Sequence, residues 1–368
     1  MTVPYFAVDR EFETIREPVL AAIEEVLRSG RMLGGPPIAE LERELAARTG
    51  RRFAVATNSC TDALYFAFET LGIRPGDEVL VPDFSFAATA SSVLRAGAVP
   101  VFVDVDDDYE LDLDHAATLV SPRTRALVVV DLFGRVGDPS EAERFAAERD
   151  LVLVEDAAQT FGAVRAGRAA GSVGAASCFS FDPTKVVSAP GSGGALVTDD
   201  ERVADRVREL RLHGKAKSGE FERLGYNAQM SSLAAAVLSV KLRYEEQWLR
   251  ARQGTAGSYA AALGPLAAAA PEQPADREHV FHKYVVRVSD RDRDRVRAEL
   301  ERRGVTTLVH YPQTLSALPF VASGVHRGGG ERATALTRSV LSLPINAHLR
   351  PDEVEQVTEA LAASIPHA

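Results

Sequence analysis

The chain of 368 residues carries only two cysteines, Cys60 and Cys178, and one tryptophan. Two cysteines so far apart supply neither a disulfide framework nor the close spacing of a metal site. Long apolar runs are missing as well, and none approaches the ~20 residues that a membrane-spanning helix requires. The opening residues, Met1 to Arg10, show no basic segment followed by an apolar core. No secretory signal is therefore expected, and a cytoplasmic protein is. Positive charge is also scarce, since 42 lysines and arginines face 52 acids and leave a net charge of −10. That balance argues against nucleic acid or an anionic membrane as a partner. A phosphate-bearing ligand would have to be met locally, by backbone N–H groups and helix ends.

Hydrophobic residues make up 46% and charged residues 26%, an ordinary globular composition. The length suits one large domain and a smaller one, and we expect the division at 1–250 and 251–368. Phe12, Ile15, Val19, Leu20, Ile23, Val26 and Leu27 recur at helical spacing, and Ser29-Gly30 ends that helix. Ile38, Leu41 and Leu45 mark a second helix, which stops at Gly50. Strands are then predicted at Phe53–Thr57, Glu78–Pro82, Val99–Val105, Arg125–Leu132, Leu151–Val154 and Ala195–Thr198. Helices follow Asn58-Ser59 and Asp138-Pro139, and cover Phe86–Leu94, Val203–Leu212 and a long stretch, Leu233–Leu249. Such alternation predicts an α/β fold with a mostly parallel sheet between helices, binding ligands beyond the carboxyl ends of its strands. The remainder reads as a small α/β unit. It has strands at Val280–Val288 and Thr306–His310, and helices at Arg291–Arg303, Arg332–Leu341 and Pro351–Ala362. The alanine- and proline-rich stretch from 263 to 276 reads as a connection.

Three features fall just after strands. The first, Thr57-Asn58-Ser59-Cys60-Thr61-Asp62, places small hydroxyl residues at a helix start. By itself this is an ordinary N-cap, but it also offers hydroxyls and free N–H groups to a phosphate. The second is Glu155-Asp156 at the end of an apolar strand. A carboxylate there can cap the next helix or pair with a cationic ring nitrogen. The third is Cys178-Phe179-Ser180-Phe181-Asp182-Pro183-Thr184-Lys185, followed by Pro190-Gly191-Ser192-Gly193-Gly194. A lysine at such an edge is usually a surface residue, yet beside an electrophilic cofactor it becomes a nucleophile. Together the three supply a phosphate cradle, a pyridinium partner and an amine, the set that pyridoxal phosphate needs.

With these motifs in this order, the chain resembles the DegT/StrS family of sugar aminotransferases, which are fold-type I pyridoxal-phosphate enzymes. The resemblance spans nearly the whole chain. It includes Ser29-Gly30-Arg31, Gly34-Gly35-Pro36, Val81-Pro82-Asp83-Phe84-Ser85-Phe86, Glu155-Asp156-Ala157-Ala158-Gln159, Gly225-Tyr226-Asn227 and His310-Tyr311-Pro312. It implies a large cofactor-binding domain and a smaller C-terminal one, with Lys185 and Asp156 as the catalytic pair. Lys185 would form the internal aldimine with pyridoxal 5′-phosphate, which passes through pyridoxamine phosphate in turnover. Asp156 would pair with the pyridine nitrogen, Gln159 would lie near the ring hydroxyl, and Phe86 would stack on the ring. Ser59, Cys60, Thr61 and Ser180 would bind the phosphate. Asn227 matches an asparagine that reaches the neighbouring subunit's cofactor phosphate, implying a homodimer with shared sites. Tyr311 and His310 are substrate-side candidates, and His213 is set aside as structural. Four positions depart from the family pattern: Cys60 for glycine, Gln229 for arginine, Ser192 for an acid, and Asp131 for histidine.

The implied reaction moves an amino group from glutamate or glutamine to a nucleotide-linked keto-deoxysugar, with a keto-cyclitol as the alternative acceptor. Related dehydratases replace the lysine with histidine, so Lys185 argues against them, whereas aminobenzoate-forming relatives keep it. Nothing resembles a DNA-binding helix pair, and the acidic balance disfavours a regulator.

Overall fold

The computed structural model describes residues 2–263, 277–289 and 291–364. Short runs rich in β-branched residues become strands β1 (Phe53–Thr57), β2 (Glu78–Pro82), β3 (Val99–Val103), β4 (Thr124–Val130) and β5 (Val152–Asp156). The strands β6 (Val164–Arg165) and β7 (Arg168–Ala169) make a small hairpin; β8 (Ala176–Ser180) and β9 (Gly194–Thr198) follow. Further along come β10 (Tyr284–Arg287), β11 (Arg327–Gly328) and β12 (Val340–Leu343). Eight strands form the central sheet in the order β1-β9-β8-β5-β4-β2-β3-β11. Its pairs from β8 to β11 run parallel, and β9 runs antiparallel to both neighbours, β8 and β1. The expected α/β class with a mostly parallel sheet is what the chain adopts.

The sheet strands are buried nearly throughout, with β2 covered on both faces. Helix Cys60–Thr70 presses Phe66 and Phe68 into one core cluster with Phe84 and Phe102. Removing each such ring from water contributes about 1.5–3 kcal/mol. A separate cluster gathers Tyr259, Tyr284, Val296, Leu341 and Val357 from the C-terminal part. Helix Glu245–Leu263 runs across the expected 250/251 division, placing Leu249 in one cluster and Tyr259 in another. The connection read at 263–276 lies outside the described residues apart from Leu263, which ends that helix. Among the described residues no helix is long and apolar enough to cross a membrane.

Several predicted elements are reshaped by packing. The long helix at 233–249 is two, Ser232–Lys241 and Glu245–Leu263, separated by a tight turn. The strand expected at Val280–Val288 is confined to β10, because the backbone before it is engaged elsewhere: Val280 N donates to Gly134 O (2.8 Å) and Lys283 N to Phe133 O (3.0 Å). The strand expected at 306–310 shrinks to a bridge between Leu308 and Ser342. The helix expected at Arg332–Leu341 ends at Ser339, and Val340–Leu343 pairs with β10 instead. A short helix that the periodicity had not revealed, Leu113–Leu119, is capped by Asp112, which accepts from His115 N at 2.9 Å.

Candidate active site

Parallel strands bring their carboxyl ends to one edge, where Asp156 ends β5 and Ser180 ends β8. There the structure opens a cavity of about 330 Å³. Its lining includes Ser59, Cys60, Thr61, Phe86, Asp156, Gln159, Ser180, Lys185, His310 and Tyr311, ten of the eleven residues singled out from sequence. The eleventh, Asn227, is exposed and stands outside that lining.

At one end of the cavity, helix Cys60–Thr70 presents its N-terminus, with Ser59, Cys60 and Thr61 in the lining. Ser59 caps the helix, its Oγ accepting from Asp62 N at 3.1 Å, and the first-turn N–H groups have no partner within the helix. Gly194, at the start of β9, lies against this turn so closely that a Cβ would collide with the Ser59 carbonyl and Cys60 N. Cys60 is buried, and burial pushes its thiol well above the ordinary range, so it stays neutral in the core beneath the turn.

At the other end, Asp156 is 4% exposed. Thr89 Oγ1 donates to its Oδ2 at 2.9 Å, and Ala158 N approaches Oδ1 at 3.3 Å. Burial raises the Asp156 pKa, partly offset by these donors and by Lys185. Such a carboxylate gains most from a cationic partner. Its neighbour Glu155 faces the opposite way, where Ser177 Oγ (2.6 Å) and the N–H groups of Gly171 and Val173 hold it. Half-buried Lys185 has its pKa lowered by burial, which favours the free amine. Gln159 is fixed at both ends: its Oε1 accepts from Phe133 N (2.9 Å), and its Nε2 donates to Tyr311 Oη (3.3 Å). The Phe86 ring, 56% exposed, tilts toward Tyr311 with centroids 6.0 Å apart. An open aromatic face, a buried carboxylate, an amine and a helix N-terminus around one cavity fit pyridoxal phosphate.

Sequence reasoning missed part of this lining. His282 and Lys283 both face the cavity although they are 3% and 5% exposed. A charged residue inside the apolar run Val280-Phe281-His282-Lys283-Tyr284 was the available signal. His310 Nδ1 lies 2.9 Å from Ser342 Oγ, and burial with Lys283 and Lys185 nearby brings its pKa down to about 3, so the ring is neutral. His213 is exposed in a turn and is not among the cavity residues. Of the four departures, Ser192 lines the cavity and Asp131 lies behind it, receiving Thr160 Oγ1 at 3.1 Å. A second cavity, about 400 Å³, opens beside Asp131 but is lined by acids and Arg144 with no lysine.

Residues 13–362 match the DegT/DnrJ/EryC1/StrS aminotransferase family. The chain belongs to that family. It is 37% identical to the dTDP-3-amino-3,4,6-trideoxy-α-D-glucose transaminase of Streptomyces venezuelae, over 98% of this chain and 95% of that one. It is 34% identical to the pleiotropic regulatory protein of Geobacillus stearothermophilus, over the full length of both. The crystal structure of S. venezuelae DesV in complex with a ketimine intermediate matches with a TM-score of 0.93, at 36% identity over 98% of each chain. Other similar structures were solved in pyridoxal or pyridoxamine phosphate forms, and pyridoxal phosphate is the cofactor this family membership implies.

Proposed function

We propose that the protein transfers an amino group from glutamate or glutamine to a nucleotide-linked keto-deoxysugar, as a homodimer with shared sites. One observation carries this reading: Lys185, Asp156 and the Ser59-Cys60-Thr61 turn, distant in sequence, line one cavity. The names of relatives that aminate dTDP- and UDP-linked sugars support the acceptor class. The exposed side chain of Asn227, outside its own cavity, suits a role in a partner's site.

The cofactor, when bound, supplies an electron sink for a carbanion at the carbon next to nitrogen. The first-turn N–H groups and the hydroxyls of Thr61 and Ser180 bind its phosphate. Gln159, held by Phe133 and Tyr311, orients the ring edge. Asp156, steadied by Thr89, holds a proton at the ring nitrogen. Lys185 would hold the cofactor through Nζ and, as a free amine, would take the proton from the donor's α-carbon and return one to the aminated sugar carbon. Its lowered pKa favours both the attachment and the base role.

Absorbance of the purified holoenzyme tests this reading. Glutamate or glutamine should bleach the band of the lysine-bound cofactor, and a keto-sugar nucleotide should restore it. A band unmoved by any amino donor would sink the transaminase reading for this chain.

A further inference from the structure

The cavity holds a second lysine that the chemistry described so far leaves idle. Lys283 is 5% exposed and lines the same cavity as Lys185. Among the described residues it makes no ion pair or hydrogen bond through Nζ; its ammonium instead lies over the ring faces of Tyr5 (5.2 Å) and Phe6 (5.0 Å). Aromatic faces attract a cation but do not neutralise it, and a buried unpaired charge is costly. Beside it, His282 is 3% exposed, and its Nδ1 has no hydrogen-bond partner. Burial and the two lysines keep the rings of His282 and His310 neutral. Among the described residues Lys185 and Lys283 are therefore the only amine-bearing side chains in the lining, and Lys185 is committed to the cofactor.

The position of Lys283 is built, not incidental. Its backbone N–H donates to Phe133 O at 3.0 Å, and Phe133 N donates in turn to Gln159 Oε1 at 2.9 Å. The same loop accepts Val280 N at Gly134, where a Cβ would press on the backbone of Phe281 and His282. The wall carrying Lys283 is thus clamped to the residues that orient the cofactor ring. An anion reaching Lys283 enters the cavity that Lys185 also lines, close enough for the two lysines to influence each other's charge.

We propose that Lys283 is the cation that receives a carboxylate of the amino-acid donor, with His282 as a neutral hydrogen-bonding neighbour. This rests on the reading above that an amino acid is the donor. Each amino-acid donor brings a carboxylate fixed one bond from the reacting carbon, so its receptor must stand near Lys185. Among the described residues no arginine lines the cavity to compete for that role.

The test uses holoenzyme and glutarate, a dicarboxylate without an amine that binds but cannot react. Calorimetry should show glutarate affinity falling by about tenfold to a hundredfold in Lys283→Met, the range for losing a charged hydrogen bond. Lys283→Arg should retain most of it. Uridine diphosphate affinity should stay at the wild-type value, and cofactor absorbance should be intact. Lys283→Gln, which keeps a polar end group without the charge, serves as a second variant if the methionine one does not fold. Unchanged glutarate affinity overturns the proposal, as does an equal loss for the diphosphate, which would assign the cation to the nucleotide. In wild-type enzyme, no spectral response to glutamate or glutamine defeats the donor reading itself. A normal wild-type response with variants that bind glutarate normally defeats only the assignment of Lys283.

Discussion

At the scale of single residues, the site is held by groups whose environment works against their ordinary charge. Asp156 has a raised pKa from burial, and the hydrogen bond from Thr89 is the largest influence opposing that rise. Thr89→Val should weaken cofactor binding by about tenfold, the effect of one lost charge-assisted hydrogen bond, as read by titrating apoenzyme with pyridoxal phosphate. An unaltered affinity would remove Thr89 from the supporting cast. Lys283 gives a stability prediction with a defined sign. Burial, helped by Lys185 and Arg252 and opposed by Asp182, brings its pKa from 10.5 down to about 7. Between those values the unfolded chain holds a proton that the folded one has released, so this group makes stability rise with pH across the window. Its cost is fully present below pH 7 and absent above 10.5. Lys283→Met should therefore have a higher Tm than wild type at pH 6, with the gap closing toward pH 10. A gap independent of pH would contradict the burial account.

At the scale of elements, local pattern and packing diverge in informative places. The strands β1 to β5 were legible because each is a short, largely apolar run buried in the mostly parallel sheet. The Ser59 cap was legible because its hydroxyl meets a need internal to the helix. The break at 242–244 was not, since Leu242, Arg243 and Tyr244 include no glycine or proline. Lys241 is instead drawn into an ion pair with Glu11 (2.6 Å) and a hydrogen bond to Ser188 (3.0 Å), while Tyr244 stacks on Trp248. Likewise β10 is short because the loop at 133–134 takes the hydrogen bonds its first residues would need. The start of β9 also decides the phosphate turn. Gly194→Ala places a methyl against the Ser59 carbonyl and Cys60 N, so the strand or the helix start must move. We expect destabilisation of about 1–3 kcal/mol by denaturant melts, together with weaker cofactor binding. Wild-type stability and affinity in that variant would show that the turn is not closely packed.

At the scale of the whole molecule, the prediction concerns sharing between subunits. Lys185→Ala should abolish turnover and covalent cofactor attachment while leaving the far-ultraviolet spectrum unchanged. Asn227→Ala should lose activity with its own Lys185 intact. Mixing the two should restore part of the lost activity if each site draws Asn227 from its partner. Additive inactivity, despite subunit exchange verified by mass, would confine each site to one chain. The sequence by itself determined the class of sheet and singled out Lys185, Asp156 and Gln159, which line one cavity. Those features are written in local runs and in motifs just after strands, where a parallel sheet must gather them at one edge. Only the tertiary structure decided that His282 and Lys283 join the same cavity, that Glu155 turns away from it, and that Asn227 stands outside. The reason is physical: which face a side chain takes depends on which backbone groups its neighbours have already engaged, and those neighbours lie far away in the sequence.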